Sequence, residues 1–249
     1  MRNIEKINSD LWQLWEVTFR NEGEAYLPTQ YPKPKQGALV FVGMNPSFSS
    51  KWWKSLLLRP ETPRFDPDTF FQWPPSPDFN SETSDTIEAL AHKYHPFFSP
   101  HRTLAQALNK NWEHFDLFAY RGTEQRSVRD LVLDQKNPEM LTKFGQKQFQ
   151  VFNELLSLAK PAVVVVINAL ASQIYMQQRR PEFDTHQGCY QDAVGTHRFP
   201  VLLSGMLTGT RALDRFSRDR LFWHVAKAFN TSWSPAMRSQ TSTEASPHS

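Results

Sequence analysis

The sequence predicts an α/β fold: a single doubly wound domain with a four-stranded, mostly parallel sheet flanked by helices. Three observations carry that expectation. Short apolar runs at residues 38–42, 114–119, 162–167 and 200–203 read as strands, the first and third as strands buried on both faces. Helical periodicity follows each of them, the alternation that produces a parallel sheet. The first and fourth runs also stop abruptly in turn chemistry, Gly43-Met44-Asn45-Pro46-Ser47 and Ser204-Gly205.

Taken in order, Ile4, Ile7, Leu11, Leu14 and Thr18 recur at three- and four-residue steps, so residues 4–21 read as an amphipathic helix. Pro28, Pro32 and Pro34 then break the chain, and residues 1–36 form a lead-in to an α/β domain over 37–229. Residues 48–100 are a long irregular stretch with six prolines between Pro60 and Pro77 and Phe65, Phe70, Phe71 and Trp73 among them. Loops of that length are usually functional or disordered, and this aromatic density predicts packing onto the body. Helices are expected near 84–93 and 101–109. Asn137-Pro138 reads as an N-cap with proline at the first helical position, ahead of the stripe Leu141, Phe144, Phe152, Leu155 and Ala159. Asn168 reads as the N-cap of a helix over 169–179, and the last helix is expected over 211–229. Nine of the final twenty residues are Ser or Thr, which predicts a disordered tail over 230–249.

Composition narrows the function classes. The 249 residues carry 28 Lys+Arg against 25 Asp+Glu, net +3, which excludes an acidic disordered chain. The longest apolar run, 162–167, is strand-sized, so no membrane span is expected, and MRNIEKINSD has no apolar core for secretion. A single cysteine, Cys189, rules out an internal disulfide and any Cys-based zinc or iron–sulfur site. His92, His95 and His101 lack a carboxylate or thiol to complete a metal set. The expectation is a soluble, cytoplasmic monomer without metal or cofactor. Charge is unevenly spread: residues 1–100 carry net −2 and the remainder +5. Arg211, Arg215, Arg218 and Arg220 crowd together against Asp214 and Asp219, one footprint of a phosphate partner and equally the pattern of a solvated helix face.

In doubly wound sheets, ligands bind beyond the carboxyl ends of the strands. That rule points to residues 43–47, 116–121, 168–172 and 204–210. At the first of these, a side-chain amide follows an exposed turn. Such a turn can hold a carbonyl oxygen while Asn45 positions a water or accepts from a base edge; Asn45 can equally bond the backbone of its own turn.

The run Ala38-Leu-Val-Phe-Val-Gly-Met-Asn-Pro-Ser47 resembles the first motif of the uracil-DNA glycosylase superfamily, closest to its single-strand-selective and mismatch-specific branches. The order of elements over residues 37–229 is similar too: motif strand, aromatic loop, then three further strands. The resemblance implies a DNA base-excision hydrolase in which Asn45 orients the attacking water. It implies a base pocket formed by Gly43, Met44 and Phe48, with Phe65 or Phe71 stacking on a flipped base and Asp116 reading its edge. It places Ser204, Gly205 and Thr208 in the loop that stabilises the leaving base and enters the duplex. The basic residues that follow, Arg211 and Arg215, are expected to contact DNA.

Three departures accompany the resemblance. No histidine lies between His197 and His224, where the family has one; Asp116 stands in place of an Asn; Ser47 replaces a glycine. An ionised Asp offers acceptors only, so these departures point away from ordinary uracil excision. Two alternatives stay open: a non-catalytic relative that binds nucleic acid or a nucleotide in the same cleft, and a hydrolase of small nucleosides or nucleotides.

Overall fold

The computed structural model describes residues 3–231, apart from residues 22, 24, 48, 78 and 123. The Ser/Thr-rich segment from residue 232 onward, and Phe48, lie outside the described residues. The strands are β1 (Leu39–Gly43), β2 (Trp112–Asp116), β3 (Val163–Val166), β4 (Glu182–Asp184), β5 (Cys189–Val194) and β6 (His197–Leu203). The helices are α1 (Ile4–Thr18), α2 (Ser50–Leu56), α3 (Ser81–Tyr94), α4 (Ser99–Ala107), α5 (Gln125–Val132), α6 (Lys143–Ala159), α7 (Ala169–Arg179) and α8 (Arg215–Ala228). They fall into two compact units interleaved along the chain. One comprises residues up to Lys33, Met44–His95 and Asp116–Leu155; the other comprises Pro34–Gly43, Pro96–Phe115 and Leu156 onward.

The second unit holds nearly all of the sheet. All four valines of β3 are buried, because a central strand must satisfy an apolar layer on each side. β1 runs parallel to β3 in the register Leu39 beside Val163, and β3 runs parallel to β6 with Val164 beside Val201. Leu39, Phe41, Val163, Val165 and Leu202 form one face, covered by Leu104 and Leu108 of α4 and by Leu221, Phe222 and Val225 of α8. The alternating register puts Asp192 on the opposite face with Val201 and Val164. There it accepts from the Tyr175 hydroxyl at 2.7 Å and from Arg179 Nε at 2.8 Å, so α7 covers that side.

The sheet is mixed and six-stranded, in the order β2-β1-β3-β6-β5-β4, rather than the four-stranded, mostly parallel sheet expected from the apolar runs. The additional strands are an antiparallel extension: β5 pairs with β6, and β4 with β5. Their sequence, rich in Glu, Asp and Gln, carries no apolar run. Backbone pairing to an existing strand recruits them. Three boundaries also shift. β2 ends at Asp116, while Leu117–Ala119 stay buried outside it. Helix α6 begins at Lys143 rather than after Asn137-Pro138; the Thr142 hydroxyl accepts from Gly145 N at 3.0 Å and caps it. Helix α8 begins at Arg215, behind its cap Asp214, so Arg211 precedes it.

The first unit is held by aromatic packing. Trp15 of α1 and its C-cap Phe19 meet Phe144 with ring centroids 5.3 and 5.4 Å apart, and both contact Tyr120. The proline-rich stretch builds its own core: Trp53, Phe70 and Phe71 pack with Ile87, Leu90 and Ala91 of α3. Backbone bonds from Leu27 N to Phe71 O and from Trp73 N to Ala25 O zip it to the lead-in segment. Six prolines therefore do not leave it unpacked.

Candidate functional site

β1 lies between β2 and β3: the connection from β1 leads to one side of it, and the next, from β2 to β3, crosses back to the other. Such a switch point opens a crevice at the carboxyl end of the strand. Gly43 closes β1 there, and the chain passes directly into Met44, Asn45 and Pro46. Within the first unit this turn is tied to the segment after β2: Phe118 N donates to Met44 O at 3.1 Å, and Gly122 N to Pro46 O at 3.1 Å. Asn45 completes the tie. Its Nδ2 donates to Pro46 O at 3.1 Å and to Gly122 O at 2.9 Å. Two carbonyl partners use both amide protons, which fixes the ring-like turn and turns Oδ1 the other way. No described residue donates to that oxygen. Asn45 is thus both the backbone clamp of its turn and an oriented, half-buried acceptor.

A buried polar cluster gathers in the same unit around the end of β2. Asp116 is 8% exposed and Arg121 3% exposed. Arg121 forms an ion pair with Glu88 of α3, donates from Nε to Leu27 O at 3.1 Å, and lies 4.9 Å from the Phe71 ring centroid. Tyr31 from the lead-in segment is buried here, and Asn8 holds its backbone: Tyr31 N donates to Asn8 Oδ1, and Asn8 Nδ2 donates to Tyr31 O. Burial, first, and the Asp116 carboxylate, second, push the Tyr31 phenol far above its ordinary range, with Arg121 opposing. Burial thus favours the neutral Tyr31 hydroxyl, in the field of Asp116, Arg121 and Glu88.

The two rings named for stacking, Phe65 and Phe71, lie in the aromatic cluster of the proline-rich stretch. Phe71 is 1% exposed, enclosed by Trp53, Phe65 and Phe70, with Arg121 over its ring. Phe65 is half-buried in the same cluster. Both are first of all core residues, and stacking on Phe71 would require that cluster to open. Met44 is likewise 4% exposed, with its carbonyl engaged by Phe118.

The remaining predicted residues belong to the second unit. Ser204 N donates to Val166 O at 2.8 Å, continuing the ladder past β6, while its hydroxyl is buried without a hydrogen bond to any described residue. A loop then runs to Asp214, pinched by a bridge between Met206 and Ala212 and by Leu213 N donating to Met206 O. Gly205 and Thr208 are half-buried in it, and Gly209 turns the chain at φ +87°, a conformation only glycine adopts freely. Arg211 and Arg215 are exposed, before and at the start of α8. The N-terminus of α8 is capped by a residue of its own chain. Asp214 Oδ1 accepts from Phe216 N at 2.9 Å and Ser217 N at 3.0 Å, and its Oδ2 from the Ser217 hydroxyl at 2.6 Å; the Ser217 hydroxyl first, then the backbone bonds, hold its carboxyl below the usual range.

No protein-family model matches the chain, and no curated protein matches it. Among the described residues, no helix is long and apolar enough to cross a membrane, and no group of three or more His, Cys, Asp or Glu could hold a metal. Cys189 is buried, and burial raises its thiol above the ordinary range.

Tyr31, Glu88 and Gly122 escaped the sequence reading as site residues. Tyr31 stands in a proline-rich loop and Glu88 on an ordinary helix, with no local signal linking either to Asp116. Arg121 was legible only as a residue just past a strand end. Asn168 fulfils its expectation, accepting from Leu170 N at 2.9 Å and Ala171 N at 3.1 Å.

Proposed function

We propose that this chain is a uracil-DNA glycosylase-like enzyme that hydrolyses the N-glycosidic bond of a damaged or deaminated base in DNA. The observation that carries the reading is the orientation of Asn45. Both of its amide protons are tied to backbone carbonyls, so a single acceptor stands two residues past the end of β1 in the chain. An acceptor so held can orient a water without taking its proton. The water oxygen bonds to C1′, the electron pair of the C1′–N bond leaves with the base, and the water's proton ends on the base. Asp116 is the residue assigned to the base edge, and Tyr31 and Arg121 define the polar surroundings in which it does so. Arg211 and Arg215, exposed in the second unit, are assigned to DNA phosphates.

The assay uses single- and double-stranded oligonucleotides bearing uracil, hypoxanthine, xanthine or mismatched thymine, with abasic sites then cleaved. Excision of at least one lesion is expected, and Asn45→Ala should slow it about 10²- to 10³-fold, the usual effect of deleting one positioned polar group. No abasic site from any lesion, with folded protein, overturns the enzyme reading.

A second reading has its own support. Loop 204–210 contains no histidine, and Asp214 closes the helix N-terminus behind it. Neither feature helps a leaving base, and both are compatible with a relative that binds DNA without cleaving it. Salt-sensitive DNA binding without excision identifies that case.

A further inference from the structure

The outer face of α8 combines features that neither the core nor the proposed chemistry uses. Its inner face is settled: Leu221, Phe222, Val225 and Ala226 are buried against the sheet. Phe216, Arg220, Trp223 and Lys227 follow one another at four-, three- and four-residue steps, which places them in one strip on the opposite side. Phe216 is 79% exposed and Trp223 47% exposed. Arg220 and Lys227 are exposed as well, and neither forms an ion pair with a described carboxylate. The Lys227 ammonium lies 5.5 Å from the Trp223 ring centroid, and His224 meets that ring edge-on at 4.9 Å.

An exposed aromatic leaves apolar surface in water, and two of them two turns apart on one strip call for an occupant. The flanking charges select it. Arg211 and Arg215 precede the strip, and Arg220 and Lys227 lie along it. The cations that accompany Trp223 also depress the His224 imidazole: burial acts first, then Lys227 and Arg220. From Arg211 to Phe229 five cations (Arg211, Arg215, Arg218, Arg220 and Lys227) face two carboxylates (Asp214 and Asp219), so the segment is net positive and an anionic partner with flat apolar faces is complementary to it.

Spacing narrows the partner further. Residues seven apart rise about 10 Å along a helix, well beyond the ~3.4 Å step between stacked bases of one strand. Two rings so separated cannot intercalate into neighbouring steps of one duplex stack, but they can each receive a splayed base of a flexible strand. The strip's hydrogen-bonding groups are the cations Arg220 and Lys227, which phosphates take up, and it carries no neutral Asn, Gln, Ser or Thr left over to read a 2′-hydroxyl.

We infer that the outer face of α8 is a docking strip for single-stranded DNA, with bases stacking on Phe216 and Trp223 and phosphates paired with Arg220 and Lys227. The inference stands apart from the reading of Asn45, and so does its test. Fluorescence anisotropy of the full chain with a labelled oligothymidine, over a salt series, measures it. Trp223→Ala and Phe216→Ala should each weaken binding about tenfold with the salt slope unchanged, and Trp223→Phe should restore most of the loss. Arg220→Gln and Lys227→Gln should each flatten the slope of log K against log salt by about 0.7. These side chains are exposed, so the variants keep the fold, which circular dichroism checks. Equal affinity for a duplex, equal or tighter binding of an oligouridine, or unchanged binding by both aromatic variants overturns the inference. So does sedimentation showing that the two rings hold a second copy of the chain instead.

Discussion

Arg121 keeps its charge almost entirely out of water, and its partners explain how. Glu88 supplies the countercharge, Leu27 a carbonyl and Phe71 a ring face, so one side chain ties three separate stretches of the first unit together. A buried pair of this kind is costly to break and much less costly to replace whole. Glu88→Gln should therefore lower unfolding free energy by about 3 kcal/mol in urea titrations. The double replacement Glu88→Leu with Arg121→Met should recover a large part of that loss; if it is as unstable as the single variant, the pair is not what holds the segment. At this scale Asn45 was partly legible. Its place after an apolar strand and before Pro46 marked a side chain at a turn. Its second partner, Gly122, lies 77 residues away, and no local pattern announces it.

Among the elements, the helix caps show how local signals compete. Asn168 was read as a cap and is one, because only Ile167 separates the end of β3 from it. Asn137-Pro138 carried an equally good start signal, yet its residues form a turn: Met140 N donates to Asn137 O, and Asp134 N to Met140 O. Helix α6 starts five residues further on, capped by Thr142, and packs closely on α5. Gly145 lies so close to α5 that an added Cβ would sit 2.3 Å from Val132 O, a backbone atom that cannot swing aside. Gly145→Ala should cost about 3 kcal/mol, the upper range for inserting one group into a packed contact, measured as a lower urea midpoint. A midpoint unchanged from the parent would show that α5 and α6 separate freely. β4 and β5 went unread for a related reason. An extension strand needs a neighbour's backbone, and that requirement leaves little trace in polar side chains.

For the molecule as a whole, buried tyrosines set a limit on alkaline stability. Burial raises Tyr31, Tyr120 and Tyr175 above the ordinary phenol value, and the Asp116 and Asp192 carboxylates add to it for Tyr31 and Tyr175. The unfolded chain releases those protons near pH 10, whereas the folded chain retains them. A folded pKa above the unfolded one stabilises fully below pH ~10, and that contribution is lost as pH rises further. Thermal midpoints should fall from about pH 10 upward, with phenolate absorbance for Tyr31 and Tyr175 appearing only with unfolding. Tyr175→Phe should flatten the decline. All six tyrosines titrating smoothly near pH 10 in the folded chain would contradict this.

The chain alone determined the α/β class, the two double-faced strands, the caps at Asn168 and the amide at the first strand end. Each of these follows from side chains within a few positions of one another, where periodicity and turn chemistry act. Only tertiary structure decided that the sheet has six strands, that the proline-rich stretch packs through Trp53, Phe70 and Phe71, and that Tyr31, Asp116, Arg121 and Glu88 share one buried cluster. Pairing between distant backbones and the burial of charge depend on what the rest of the fold brings alongside. No window of sequence carries that information.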